Sequence, residues 1–114
     1  MTSSEGPDAS RMDKLAGLKE ILALDPGNSF ARYGIAMELA NRGETTAALT
    51  EFDTLLEKDP NYTQGYFMAA QTLAGAGKKP EAIERLKAGI DCASREGNGH
   101  AASEMAAMIR ELEQ

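Results

Sequence analysis

Tryptophan is absent, cysteine and histidine occur once each, and aromatic residues make up only 5% of the chain. Each scarcity removes something. A single cysteine, Cys92, allows no internal disulfide, and its setting in a helical pattern marks it as a small core residue rather than a nucleophile. One histidine, His100, leaves no second imidazole for a catalytic pair. The sequence also spells out no Ser-His-Asp arrangement, no phosphate-cradling glycine loop and no metal-ligand cluster. Pairs such as Glu81 with Glu84 and Glu111 with Glu113 read as solvated helix faces. No enzyme and no cofactor are expected. Cations are outnumbered by anions, 12 to 18, for a net charge of -6. That balance opposes nucleic acid and anionic membranes, which need a basic face to neutralise phosphate. The only adjacent cations, Lys78 and Lys79, fall in a predicted turn. No apolar run approaches the roughly 18 to 20 residues that span a bilayer. The stretch from Met1 to Asp8 lacks the apolar core of a signal peptide, so the expected location is the cytoplasm.

What the chain does contain is a repeat. Asp25-Pro26 returns as Asp59-Pro60, 34 positions later. At that spacing Leu15, Leu49 and Ile83 form one column, Leu18, Phe52 and Leu86 a second, and Leu22, Leu56 and Ile90 a third. Upstream, Ala36 pairs with Ala70, Leu39 with Leu73, Ala40 with Ala74, Gly43 with Gly77, and Ala48 with Ala82. A period of 20 to 50 residues marks stacked supersecondary units, none of which can bury its apolar face alone.

The units read as helices, with no strand-like alternation anywhere. Residues 1–10 lack periodicity and read as a flexible tail. Ser10, with Asp13 three residues on, suggests a cap for helix 1 over about 11–24, whose stripe is Met12, Leu15, Leu18 and Leu22. Pro26 and Gly27 end it. Asn28 or Ser29 caps helix 2, which stops at Gly43. Helix 3 covers about 45–58, helix 4 about 62–76, and helix 5 starts near Pro80, where a missing N–H has no partner to lose. Helix 5 is expected to reach Arg95, before the breaker Gly97-Asn98-Gly99. Helix 6 takes the rest, with Ala101, Met105, Met108, Ile109 and Leu112 on one side. Six helices with short turns imply an all-α stack of antiparallel helix-turn-helix units in one domain.

These columns resemble the tetratricopeptide repeat, a helix-turn-helix unit with the pattern W-x2-L-G-x2-Y, then A-x3-F, then P. In one repeat, 29–62, those places hold Arg32, Ile35, Ala36, Leu39, Ala48, Phe52 and Pro60. In the next, 63–96, they hold Tyr66, Ala69, Ala70, Leu73, Ala82, Leu86 and Ser94. The loss of the final proline fits a longer helix 5. The alanines mark where the two helices of a repeat cross closely, so a bulkier residue would force them apart. Residues 11–28 match the second helix of a repeat and 97–114 the first helix of another. At their close-crossing places stand Lys14 and Glu104, and charges at crossings without partners suggest two solvated capping helices around a finished unit.

The resemblance implies a protein-interaction module that holds a partner's peptide or helix in a concave groove lined by first helices. The family's groove places fall on Phe30, Tyr33, Met37, Ala40 and Asn41, and on Gln64, Phe67, Gln71, Ala74 and Gly75. The capping helix would add Asn98, Ala101 and Met105. The expected partner-binding residues are Phe30, Tyr33, Met37, Asn41, Gln64, Phe67, Gln71 and Met105. The family's carboxylate clamp of Lys, Arg and Asn has no match here, which favours an apolar or mixed peptide of unknown identity. Phe30 and Phe67 packing sideways between helices is a plainer alternative. Self-association through the helix 6 edge, with Met105, Met108 and Ile109, is the alternative function, giving a monomer or weak homodimer.

Overall fold

The computed structural model describes the backbone of residues 7–114 and the side chains of residues 14–114. Six helices and no strand occur among the described residues: α1 (Pro7–Leu24), α2 (Ser29–Asn41), α3 (Thr45–Lys58), α4 (Thr63–Gly75), α5 (Lys79–Arg95) and α6 (Gly99–Leu112). Helix α1 begins four positions before the expected start, with Pro7 first, where the absent N–H costs no hydrogen bond. Ser10 therefore lies inside the helix rather than capping it. Of the stretch read as a tail, residues 1–6 fall outside the described residues, as does the Met12 side chain.

Helix ends follow their sequence signals. Asn28 Oδ1 accepts the Ala31 N–H at 2.9 Å, which satisfies one of the donors left open in a first turn. At the other end of α2, Gly43 adopts φ 79°. Its N–H donates to the Ala40 carbonyl, while Glu44 N–H donates to Leu39, a paired closure that needs a left-handed residue. Gly77 repeats the device after α4, and Gly97 after α5.

The core runs between the helix layers as a continuous apolar cluster from Leu15 to Met105. Ala36, Ala48, Ala70 and Ala82 are all fully buried, as close crossings demand. Glycines permit the remaining close approaches. A Cβ on Gly34 would lie 3.1 Å from Leu18, and one on Gly65 would lie 3.0 Å from both Leu55 and Leu56. At Gly89 the space is already taken by Met105 Sδ and by Tyr66 Cβ. Cys92 is buried, with its Sγ 3.3 Å from Thr63 Oγ1. Lys14 is solvated as expected, and its Nζ comes within 4.0 Å of Glu38. Glu38 is buried and also accepts from Arg42 Nε at 3.3 Å.

The 34-residue period breaks at α6. The caps Asn28 and Tyr62 are 34 positions apart, but Tyr62 and Asn98 are 36 apart. Ser94 does not stop α5 where Pro60 limits α3, so α5 has 17 residues against 14. The following turn is one residue shorter. Helix 6 is therefore displaced by two places, and this corrects two expectations. Met105 joins the column of Ile35 and Ala69, all three buried. The close-crossing place belongs to Ala106, not to Glu104, which is exposed and paired with His100 at 3.4 Å. The crossing place on α6 therefore carries a small apolar residue, as it does on α2 and α4, and not a charge.

Candidate partner-binding groove

Three first helices, α2, α4 and α6, lie side by side and leave two shallow depressions on one face. The first, about 310 Å³, lies between α2 and α4 and is lined by Met37, Ala40, Asn41, Met68, Gln71 and Thr72, among others. The second, about 300 Å³, lies between α4 and α6 and is lined by Phe67, Gln71, Glu104, Ala107, Met108 and Glu111. Gln71 is exposed and forms the ridge that both share. A narrow crevice beside the second is walled by Gln64 and Phe67. The face thus combines thioether and aromatic surface with amide groups, and its only carboxylates come from α6.

Of the expected groove residues, Met37, Asn41, Gln64, Phe67 and Gln71 meet on this face. Three do not behave as expected. Met105 is 1% exposed, because the displacement of α6 turns it inward to fill the space left by Gly89. Tyr33 is half-buried and packs its ring against two neighbours, edge-to-face on Phe52 at 6.4 Å and 67°, and tilted on Tyr62 at 5.3 Å. Burial raises its phenol above the ordinary value of 10, and a hydrogen bond from Gln64 partly offsets the rise. Phe30 is 72% exposed, so it does not pack sideways between helices, and it lines neither depression. Phe67, by contrast, is half-buried against the core while still lining the second depression.

The α6 wall was not anticipated. Aligned through its cap, α6 offers Ala107 and Glu111 at groove places, while Glu104 and Met108 stand one place beyond such positions and emerge only from the structure. Asn98 Oδ1 accepts the Ala101 N–H at 3.0 Å, as Asn28 does for Ala31. Asn98, taken as a groove place from the 34-residue spacing, is instead the cap, while Ala101, in the first turn, lines the narrow crevice with Gln64 and Phe67.

A separate hollow of about 390 Å³ opens on the opposite layer between α3 and α5, beside a 2.7 Å ion pair from Arg85 to Asp53. Among the described residues, no three His, Cys, Asp or Glu side chains are placed to hold a metal ion. No helix among them is long and apolar enough to cross a membrane.

No family model matches the chain. A TPR repeat-containing protein of Pseudomonas aeruginosa is 25% identical over 99 residues, spanning 87% of this chain and 94% of its own length. The solution structure of a tetratricopeptide repeat domain protein from Salinibacter ruber superposes with a TM-score of 0.74 at 29% identity. It covers 78% of this chain and 90% of that one. The chain has the all-helical repeat fold of tetratricopeptide proteins. The TPR2B domain of yeast Sti1, in its complex with pHsp70, has the same fold, with a TM-score of 0.85 at 20% identity over 94% of this chain and 86% of that one. In tetratricopeptide terms, the two depressions lie between successive first helices of the array.

Proposed function

We propose that this protein is a non-catalytic interaction module that holds an extended segment or helix of a partner protein across α2, α4 and α6. One observation carries the reading: the two depressions adjoin at Gln71, so that apolar and amide groups of α2 and α4 lie next to an apolar surface edged by carboxylates on α6. Met37, Met68 and Met108 give adaptable contact area. Phe67 offers a rigid face, and Asn41 and Gln71 can pair with a peptide backbone. The Sti1 complex supports the reading by analogy of fold alone.

The test is capture of a partner from native extract by wild type and by Gln71→Trp, which fills the ridge between both depressions. Gln71 is exposed, so the helical circular dichroism of the variant is expected to be unchanged. Lost capture supports the groove, and retained capture moves the site elsewhere.

A second reading is favoured by the corrected register. Ala102, Ala106 and Ile109 occupy the columns that α3 and α5 cover on α2 and α4, yet they are only half-buried. A helix of a second copy would complete that burial. Sedimentation of wild type and Ala106→Glu separates the cases, since a dimer dissociated by the substitution supports self-association and a wild-type monomer rejects it.

A further inference from the structure

The two depressions differ in charge. No ionisable side chain is among the lining residues of the α2/α4 depression. The α4/α6 depression has an apolar floor of Phe67, Ala107 and Met108, and carboxylates at Glu104 and Glu111. These acids lie seven residues apart on α6, or about 10 Å along its axis at 1.5 Å per residue, with Ala107 between them. Ala107 is small, so it leaves the space open rather than filling it. No Lys or Arg lines either depression. The one basic group near Glu104 among the described residues is His100 at 3.4 Å, almost fully exposed and charged only when protonated.

An apolar depression that includes an aromatic ring and two acids fits one chemistry better than any other. The methylene stem of a lysine or arginine can lie on Phe67 and Met108 while its charged end reaches the carboxylates. The ring face adds cation–π attraction. An acidic segment would meet like charge here, and a wholly apolar one would leave Glu104 and Glu111 partly desolvated and unpaired.

We infer that the α4/α6 depression is a subsite for a cationic side chain, so that the bound segment carries a lysine or arginine at one end of an otherwise uncharged stretch that lies over α2 and α4. This rests on the groove reading above and adds to it the charge and polarity of the ligand. The displaced register removes Glu104 from the helix crossing, and its position on the rim of the α4/α6 depression, beside Phe67, is what brings it to the groove.

The experiment is selection of a random peptide library displayed on phage against the intact protein, followed by affinity measurement of the enriched peptides. Wild type should enrich peptides with Lys or Arg at one fixed position beside apolar residues. Glu104→Gln/Glu111→Gln should bind those peptides at least tenfold more weakly and lose the cation preference on reselection. Replacing the fixed Lys or Arg of the peptide by Met should weaken wild-type binding by a similar factor and leave the double variant little changed. Groove-dependent peptides without a fixed cation would overturn the subsite while leaving the groove intact. Peptides whose binding is unaffected by Gln71→Trp would overturn the groove reading and the subsite with it. Both glutamates are exposed, so neither outcome is confounded by unfolding.

Discussion

Gly89 and Gly17 offer opposite outcomes for the same substitution. In helix interiors, glycine to alanine usually stabilises by about 0.5–1 kcal/mol, because alanine has less backbone freedom to lose. At Gly17 a Cβ would meet nothing within 4 Å, so that gain should appear in full. At Gly89 the added Cβ would lie 2.5 Å from Met105 Sδ and 2.7 Å from Tyr66 Cβ. The thioether can swing aside. Tyr66 Cβ moves only with α4, and the ring is anchored by a 2.8 Å hydrogen bond from its hydroxyl to the Pro60 carbonyl. Overpacking of this kind costs about 1–3 kcal/mol. Set against the propensity gain, Gly89→Ala should lose about 0.5–2 kcal/mol net. The two variants should then differ by roughly 1–3 kcal/mol, or about 4–12 °C in melting temperature for a domain of this size. Thermal and urea unfolding followed by circular dichroism measure both. Pairing Gly89→Ala with Met105→Ala should cost somewhat less than the sum of the single changes, because the shortened side chain relieves the contact at residue 105 while the one with Tyr66 Cβ remains. If Gly89→Ala were as stable as wild type, the packing of α4, α5 and α6 around Gly89, and with it the inward turn of Met105, would be refuted.

Phe30→Ala should change stability by no more than about 0.5 kcal/mol, whereas Tyr33→Ala, which removes a ring packed against Phe52 and Tyr62, should cost about 1–3 kcal/mol. Denaturant midpoints decide between them, and equal effects would contradict the positions of the two rings. Burial raises the phenols of Tyr33, Tyr62 and Tyr66 above 10, with lesser contributions from their charged and polar neighbours. The unfolded chain then releases these protons first. Their contribution to stability should be complete below pH 10 and fall as pH rises from there through the folded values. Phenolate absorbance in native and denaturing buffer tests this, and coincident titrations would contradict it. Arg42→Ala leaves buried Glu38 with Lys14 alone, at 4.0 Å, and should cost about 1–3 kcal/mol in unfolding free energy.

Much of the fold was legible because local signals and the long-range period agreed. Asp-Pro turns, left-handed glycines and small residues at crossings each demand a particular backbone, and each recurs at the same interval. The register of α6 was misread because a constant period assumes that every second helix stops in the same place. Ser94, standing where Pro60 does its work, lets α5 run on, and only the capping geometry of Asn98 reveals the new phase. The groove was partly legible for the same reason. Met37, Asn41, Phe67 and Gln71 belong to the two helices that keep the period, while Met105 belongs to the one that does not. Tyr33 could not be sorted from sequence, since a tyrosine at a half-exposed place serves packing and binding equally well. The packing of its ring against Tyr62 joins side chains 29 positions apart, a contact that no periodic column contains.

Backbone amide shifts during titration with a peptide selected as above bear most directly on the groove. The account predicts changes concentrated on Met37, Asn41, Phe67, Gln71, Ala107 and Glu111, with the opposite layer around Leu49 and Ala88 unmoved. Changes centred on α3 and α5, around the hollow beside Arg85 and Asp53, would contradict it.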